Sequence, residues 1–482
     1  MIVTRKDGQV VSRPFTINNH VAIASEMMAM RLRVNQENYA MLAQIAAEEH
    51  AKCTAEVTQH VGHEINVGSS QQVQAFLYGK AEGQLGLKVK LKHTPQGMRP
   101  TADENALREL RVEAPQHKEL LNAFIKERHI KKKIESYIDV QFDEDGCIGY
   151  SANPAGTETN RWSFSKSPRE RGFNPQTTPK VMRLMVEAPA GCVFICPDLP
   201  QADARIVAWD AQCERLIQLF SDASVQFHLE NCIRLAGAPG SPFDGITREI
   251  AYGINDAGQP WKEYAIDQYT TGKAMGHAAN YRMQPKRLAM ELGIAISDAR
   301  KLLDIYLHQL YPEIARWQYS IKERVAKVGY LETPWPMLRR RTCYGAWAEL
   351  MLRGKISDPT WNELCAHIPQ SVVADIVNVG MEKLWMEADY VRFHKHDHDS
   401  YLASVPCDRL GNACRVALSG LRVELRIHDR PLTMLPEMSY GRNYGAMIEW
   451  KGEAEPDEQR LAAAERKVLD TEKVRKSLYG YY

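Results

Sequence analysis

Two aspartates that adjoin short apolar runs are the first candidates for chemistry in this 482-residue sequence. Asp198 follows the run at 193–196, and Asp399 lies between the runs at 391–396 and 401–405. Each run predicts a strand, and a strand end holds a carboxylate on a rigid scaffold without burying it. Two such carboxylates can share a pair of Mg²⁺ ions. Taken alone, an aspartate at a strand end is more often a turn residue than a ligand.

A second candidate is a helix face between the two aspartates. Lys273, His277 and Tyr281 recur every fourth residue and therefore line one face of a predicted helix. A lysine can hold a triphosphate and a tyrosine can cover a base or sugar, so this face suits a nucleotide. The alternative is an amphipathic helix with a solvated lysine. A Walker-type loop is excluded because the segment 270–273 lacks the earlier glycine.

The composition indicates a soluble globular protein with room for about three domains. Hydrophobic residues make up 44% and charged residues 25% of the chain, and the net charge is +1. No apolar run is long enough to span a bilayer, and the polar start lacks a secretory signal, so we expect a cytoplasmic protein without membrane contact. The ten cysteines form no C-x-x-C pair, which favours free thiols over a zinc site.

The elements that must position these residues can be outlined from periodicity. The first 140 residues are predicted to be mainly helical, with an amphipathic helix over 21–58 and a basic, turn-forming loop at 90–97. Turn-forming residues become frequent between 143 and 179 and indicate a domain boundary. Further helices are predicted over 201–220, 264–292, 297–327 and 453–476.

The order of the motifs resembles DNA polymerase family A, the DNA polymerase I family, from about residue 24 to residue 450. The segment 198–205 (D-L-P-Q-A-D-A-R) resembles the family's D-Y-S-Q-I-E-x-R, and 272–281 resembles its nucleotide helix, especially in phage members. The segment 398–406 (H-D-S-Y-L-A-S-V-P) resembles H-D-E-L-V-F-E-V-P. Shorter matches at 159–161, 174–176, 227–228 and 370–376 lie in the same order, and independent motifs rarely coincide in this way.

The resemblance implies an α+β, multidomain right-hand fold with an antiparallel palm sheet, helical fingers and a helical thumb. The segments it implies are an N-terminal extension (1–23), thumb (24–143), palm (144–221 and 339–452), fingers (222–338) and a C-terminal helical tail (453–482).

The implied activity is primer-dependent, template-directed DNA synthesis from dNTPs, with Mg²⁺ ions held as a pair and Mn²⁺ able to substitute. The implied partners are a DNA primer-template and dNTPs, and a separate exonuclease or processivity factor is left open. The implied catalytic residues are Asp198, Asp399 and Lys273, and the metal ligands are Asp198, Asp399 and the Leu199 carbonyl. The implied nucleotide-binding residues are Lys273, His277, Tyr281, His228, Asp203 and Gln201. The implied primer-template residues are Arg161, Asn174, Gln176, Gln370 and His398.

Several positions depart from the family pattern. A glutamate expected to exclude a ribose 2′-hydroxyl is Asp203, which is shorter by one methylene, so weaker discrimination against ribonucleotides is expected. At the other departures, this chain has Tyr269 where the family has Arg, His277 where it has Phe, Arg282 where it has Gly and Ser400 where it has Glu. Asp397 is a rival ligand on the same strand face as Asp399, although the spacing to the following Val-Pro favours Asp399.

Two alternative functions remain open at this point. One is a ribonucleotide-using or RNA-tolerant polymerase of the same fold, and the other is a degenerate polymerase that only binds nucleic acid. We also expect no 3′→5′ proofreading, because the family's proofreading module precedes the thumb and only about 20 residues do so here, below the ~50-residue floor for a domain.

Overall fold

The computed structural model describes residues 2–4, 10–12, 17–222, 225–238, 241–255, 258–334 and 340–479. Up to residue 143 the described residues form two hairpins, the separate strand β3 and five α-helices. In chain order these elements are β1 (Ile2–Thr4), β2 (Val10–Ser12), α1 (Ile17–Met30), β3 (Leu32–Val34), α2 (Gln36–Val61), α3 (Ser70–Tyr78), β4 (Leu91–Thr94), β5 (Gly97–Pro100), α4 (Glu104–Glu113) and α5 (Lys118–Lys133).

Short strands follow, and after them come two helices and a long, mainly helical segment in the middle of the chain. The strands and first helices are β6 (Cys147–Ile148), β7 (Tyr150–Asn153), β8 (Ser163–Lys166), β9 (Val186–Glu187), β10 (Cys192–Asp198), α6 (Ala202–Asp210) and α7 (Glu214–Ser221). The middle helical segment contains α8 (Phe227–Leu235), α9 (Arg248–Tyr252), α10 (Trp261–Tyr264), α11 (Ile266–Asn280), α12 (Pro285–Leu292), α13 (Ile296–Asp304), α14 (Pro312–Val328) and the strand β11 (Tyr330–Glu332).

The remaining elements complete the sheet and end in two helices. They are β12 (Arg340–Thr342), α15 (Tyr344–Arg353), α16 (Asp358–Glu387), β13 (Arg392–His396), β14 (Tyr401–Pro406), α17 (Leu410–Leu421), β15 (Val423–Ile427), β16 (Arg430–Met434), β17 (Glu437–Gly441), β18 (Ile448–Glu449), α18 (Glu458–Val468) and α19 (Thr471–Tyr479). No helix of the described ranges is long and apolar enough to cross a membrane. All ten cysteines are free.

The central feature is a five-stranded antiparallel sheet in the order β13-β14-β10-β17-β18. Its middle strand β10 carries Val193, Phe194 and Ile195, which are all fully buried. A continuous apolar run suits a strand that is covered on both faces. Helix α17 packs on β10 and is itself packed against α16. The sheet is therefore a rigid base for whatever lies at the end of β10.

The helices α2–α5 form a lobe with its own hydrophobic core. Val57, Phe76, Leu107 and Phe124 belong to this second core, which is separate from the main one. The segment 90–97, expected as a loop, is largely an exposed hairpin, β4–β5. The basic, turn-forming residues were recognised correctly, but they close a pair of strands.

The expected start of the thumb at residue 24 falls inside α1. This helix packs on β13 and β7 rather than on the lobe. Glu26 accepts hydrogen bonds from Trp385 Nε1 at 3.1 Å and from the Phe393 backbone at 3.3 Å. Helix α1 is thus part of the sheet's support. The predicted boundary at residue 338 lies outside the described residues.

The lobe touches the middle helical segment directly, through α4 and α12. Lys286 Nζ lies 2.6 Å from Glu109 Oε1, and Arg287 donates to Asn105 at 2.7 Å. Arg111 Nη2 donates to the Met290 carbonyl at 2.9 Å. We call this the α4–α12 contact. Residues of α2 and of the middle segment also belong to the main hydrophobic core that surrounds the sheet, so each segment is anchored to that core as well as to the other segment.

Candidate active site

The structure brings Asp198 and Asp399 together. Asp198 is the last residue of β10, paired with Glu437 on one side and bridged to Ser400 on the other. Asp399 lies in the turn between β13 and β14, and its carbonyl accepts a 3.0 Å hydrogen bond from the Leu199 backbone N–H. The two predicted strands that bracket Asp399 are confirmed. One backbone hydrogen bond therefore fixes the spacing between the two carboxylate-bearing turns.

The electrostatics of the pair favour cation binding. Burial, followed by the charges of Asp399 and Glu437, raises the pKa of Asp198 to about 7, although Lys273 acts in the opposite direction. Desolvation, followed by the carboxylates of Asp397 and Asp203, raises the pKa of Asp399. Like charges held this close disfavour ionisation of both groups. A divalent cation would relieve that repulsion and keep both carboxylates ionised.

A tight turn follows Asp198 and starts α6. The Leu199 carbonyl accepts a single, long hydrogen bond of 3.3 Å from Ala202 N–H, which leaves one of its lone pairs for another partner. Gln201 has a left-handed backbone with φ +58°, which is uncommon for a residue with a Cβ. Such conformations persist where the surrounding structure determines them. The turn presents Leu199 and Gln201 beside the carboxylates.

Helix α11 carries the predicted nucleotide face. It packs closely on α8 because Gly272 faces Cys232, where an added Cβ would lie 2.2 Å from the sulfur. That packing leaves Lys273 and His277 on the exposed side. The ring of His277 meets the ring of Tyr281 edge to face at 4.7 Å between centroids. The spacing of four residues therefore produces the shared face that the sequence predicted.

His228 on α8 points toward the same region. Burial, followed by the nearby cation Lys273, lowers its pKa to about 4. Its Nδ1 is buried without a hydrogen-bond partner among the described residues. The imidazole is therefore neutral at pH 7, and it can donate one hydrogen bond but carries no charge with which to neutralise a phosphate.

Asp203 and Tyr281 face each other beneath this helix. Arg161 Nη2 lies 3.3 Å from Asp203 Oδ2, which is an ion pair the sequence did not indicate. Burial, followed by the charge of Asp203 and a hydrogen bond with it, raises the pKa of Tyr281. Asp203 therefore has Arg161 on one side and Tyr281 on the other.

The predicted primer-template residues divide into two groups. Asn174 caps the turn at Pro175–Thr177 and donates to the Phe164 carbonyl at 2.7 Å, and Gln176 donates to the carbonyls of Trp162 and His396. Both side chains are used inside the fold, which argues against a direct contact with DNA for either. Gln370 on α16 is half-buried, and His398 is exposed in the turn before Asp399.

Arg282 explains one departure from the family pattern. Its φ of +60° is the left-handed conformation that a glycine adopts without strain. Its guanidinium stacks on Trp361 with 3.3 Å to the ring centroid and bonds to Asn362 and Asp358. These contacts offset the cost of a side chain at this position.

The donor set fits hard divalent cations. Two carboxylates and a backbone carbonyl are the oxygen ligands that Mg²⁺ accepts, and Mg²⁺ usually completes its shell with water and substrate phosphates. Among the described residues, no group of three or more His, Cys, Asp or Glu side chains is arranged to hold a metal alone. Such a site would depend on its substrate for further ligands.

Sequence reasoning missed two charged residues beside the site. Lys395 is fully buried, and Glu437 stands directly opposite Asp198. The charged residues at every second position, Lys395, Asp397 and Asp399, were the available signal for the first. A lysine inside an apolar strand was overlooked because lysines are almost never fully buried unless paired.

Comparison with solved structures defines the class of fold. The polymerase domain of Pol1 from M. smegmatis, solved as a "complex with DNA primer-template and dNTP", matches with a TM-score of 0.65 at 21% identity, covering 89% of this chain and 70% of that one. At this level of identity, the match concerns the fold.

The sequence comparisons are more specific. The model of DNA polymerase family A matches residues 36–416, and the chain belongs to that family. It is 26% identical over 417 residues to the thermostable DNA polymerase I of Thermus aquaticus, covering 84% of this chain and 45% of the relative. It is 27% identical over 277 residues to DNA polymerase I of Pseudomonas aeruginosa, covering 56% and 27%. The chain thus spans less than half the length of these relatives.

Proposed function

We propose that this chain is a DNA-directed DNA polymerase that adds dNTPs to a primer 3′-hydroxyl. The observation that carries the proposal is that Asp198 and Asp399 lie together at the end of β10, where Lys273 of α11 faces both carboxylates. Membership of the family and the polymerase-domain fold support the same reaction. The proposed domains follow the right-hand plan: α2–α5 as thumb, α8–α14 as fingers and the sheet as palm.

In the proposed mechanism, Asp198, Asp399 and the Leu199 carbonyl hold two Mg²⁺ ions, for which Mn²⁺ can substitute. When bound, such a pair lowers the pKa of the primer hydroxyl and neutralises charge on the leaving pyrophosphate. Lys273 binds the triphosphate and is placed to donate a proton to pyrophosphate. Neutral His228 donates a hydrogen bond to the same phosphates.

Further side chains position the sugar and the primer-template. Tyr281 and His277 cover the incoming nucleotide, and Asp203, held by Arg161, borders the sugar. Gln201 lies at the start of α6 beside the same pocket. Gln370 and His398 remain the proposed contacts to the primer-template, whereas Asn174 and Gln176 act by shaping the loop that precedes β10. Sequence is read by base pairing, since these contacts carry no sequence information.

Primer extension with isosteric variants tests this function. Asp198→Asn and Asp399→Asn should abolish extension while primer-template binding stays near that of the native chain, because each removes a charge and no packing. Asp408→Asn, at an exposed site after β14, is the matched control and should extend normally. Binding without extension by the native chain would support a degenerate polymerase, and extension with rNTPs as efficient as with dNTPs would support an RNA polymerase. Activity in Asp399→Asn would move the assignment to Asp397.

We also propose that the chain removes no mispaired primer ends. The described residues outside the family match include the hairpin β1–β2, helix α1, strand β3 and the segment from the end of α17 to α19. The buried apolar side chains described for α1, β3 and this last segment belong to the main core around the sheet. Degradation of a mispaired primer by pure protein, retained in both Asp198→Asn and Asp399→Asn, would contradict this.

A further inference from the structure

A buried ammonium lies directly below the candidate metal site. The Lys395 side chain is 0% exposed, and its Nζ lies 2.8 Å from Asp397 Oδ2. The same nitrogen donates to the Tyr444 hydroxyl at 2.9 Å, and that hydroxyl lies 3.5 Å from Asp397 Oδ2. A buried charge is tolerated only when it is paired and hydrogen-bonded. Lys395 and Tyr444 therefore fix one oxygen of Asp397.

The strand geometry places this held carboxylate beside the site. Asp397 directly follows β13, its Oδ2 lies 2.8 Å from Lys395 Nζ, and it precedes Asp399 by two residues. The backbone N–H of Asp397 donates to the Ser400 carbonyl at 2.8 Å, and Ser400 is bridged to Asp198. Asp397, Ser400 and Asp198 thus lie in one row across three strands, at a strand spacing of about 4.8 Å.

Ser400 lies in the middle of this row and carries no charge. The Ser400 side chain stands between two acids, at the position where the family pattern places a glutamate, and the residue is 6% exposed. Position 400 therefore supplies no carboxylate, but Asp397 at the end of the neighbouring strand brings one into the row. Its partners Lys395 and Tyr444 lie outside the segment 398–406 that resembles the family's motif.

We propose that Asp397 is a positioning residue that supplies the third acidic charge of the metal site from outside the ligand shell. This inference rests on the proposed function. Because Oδ2 is committed to Lys395 and Tyr444, Asp397 acts through the hydration shell of the cations and through its field on Asp399, not as a direct ligand. Lys395 places a cation 2.8 Å from this third carboxylate and so offsets part of the repulsion between it and the other two.

Affinity for Mn²⁺ tests the inference without relying on catalysis. Free Mn²⁺ is measured by electron paramagnetic resonance during titration of the full chain bound to a primer-template with a dideoxy end. Partners outside the ligand shell are typically worth 10–100-fold in metal affinity, so Asp397→Asn should weaken Mn²⁺ binding by about that factor. Asp389→Asn, which removes an exposed acid just before the same strand, is the control and should leave the affinity unchanged.

A rescue experiment separates the positioning role from general damage to the fold. Adding Ser400→Glu to Asp397→Asn returns a carboxylate to the same row and should restore most of the affinity. Tyr444→Phe removes a hydrogen bond and no charge, so it remains informative if Asp397→Asn does not fold, and it should weaken Mn²⁺ binding by a smaller factor.

Two results would overturn the inference. Unchanged Mn²⁺ affinity in both Asp397→Asn and Tyr444→Phe would show that the cluster has no role in metal binding. Loss as complete as in Asp399→Asn would make Asp397 a direct ligand. Failure of the proposed function is recognised separately, because a native chain that binds Mn²⁺ through Asp198 and Asp399 but extends no primer rejects the activity and not the positioning role.

Discussion

Arg161 Nη2 lies 3.3 Å from Asp203 Oδ2, so the carboxylate expected beside the sugar is held by a cation before any nucleotide binds. The Tyr281 hydroxyl lies against the same carboxylate, which adds to the effect of burial in raising the pKa of Tyr281. The pair therefore fixes where the carboxylate stands. The length of its side chain then decides how much room remains for a ribose 2′-hydroxyl.

Asp203→Glu should strengthen discrimination against ribonucleotides. Filling a gap of one methylene is worth about 1–3 kcal/mol, or roughly 10–200-fold in the ratio of kcat/KM for matched dNTP and rNTP. The ratio is measured by single-nucleotide extension. Asp203→Asn, which keeps the length and loses the charge, is the control and should not raise the ratio. A ratio unchanged or lowered in Asp203→Glu would show that His277 or a backbone shift already fills the gap.

His394 should make the folded state sensitive to mild acid. Its Nδ1 lies 2.8 Å from the Arg31 carbonyl and its Nε2 lies 2.8 Å from the Ser404 hydroxyl, and burial lowers its pKa to about 4. The unfolded chain takes up this proton near pH 6.5 and the folded chain does not. The stability is therefore complete above pH 6.5 and is lost as the pH falls toward 4, by about 1 kcal/mol per pH unit.

Urea unfolding at pH 7, 6 and 5 measures this loss. His394→Gln keeps hydrogen-bonding groups without a titrating proton, so its free energy of unfolding should be lower at pH 7 but less dependent on pH than that of the native chain. Identical pH slopes in the two proteins would exclude His394 as the source.

Arg282 offers a test of backbone strain with a matched pair of variants. Arg282→Ala and Arg282→Gly both lose the stack on Trp361, but only alanine keeps a Cβ at φ +60°. The glycine variant should therefore be the more stable of the two, by about 1 kcal/mol. Thermal unfolding of both variants gives the difference. Equal stability would show that the left-handed conformation costs nothing at this position.

The α4–α12 contact should limit how quickly DNA enters and leaves. Lys286→Gln removes the 2.6 Å pair with Glu109, and one exposed ion pair is worth up to ~1 kcal/mol, so association and dissociation of a primer-template should accelerate by up to about fivefold. Stopped-flow fluorescence measures both rates. Lys301→Gln, whose partner Asp298 lies on the same helix, removes the same charge and should leave dissociation slow. Equal effects of the two variants would mean that Lys286 acts only by its charge on DNA.

The sheet could be predicted well, because strand signals are local. The apolar runs around Asp198 and Asp399 are strands in the structure, and the turn that holds Asp399 lies where the sequence placed it. Helix ends were harder to predict. The stretch 264–292 was expected to be one helix, but it is divided at Ala265 and at 281–284. The second break contains Arg282, whose left-handed conformation cannot be seen from periodicity.

The assembly of the site could be predicted only through the order of motifs. Nothing local indicates that the Leu199 N–H reaches the Asp399 carbonyl, or that Arg161 reaches Asp203. Asn174 and Gln176 were expected to touch DNA, yet their amides are used to build a loop, a distinction that depends on three-dimensional contacts. Lys395 was missed because its partners, Asp397 and Tyr444, make burial possible only in the folded chain.

The α4–α12 contact also has a mechanical consequence. It joins the lobe to the middle segment through polar groups, among them the Lys286–Glu109 ion pair and the hydrogen bond from Arg111 to the Met290 carbonyl. Salt screens exposed ion pairs. The lobe should therefore be held less firmly against the middle segment as the ionic strength rises.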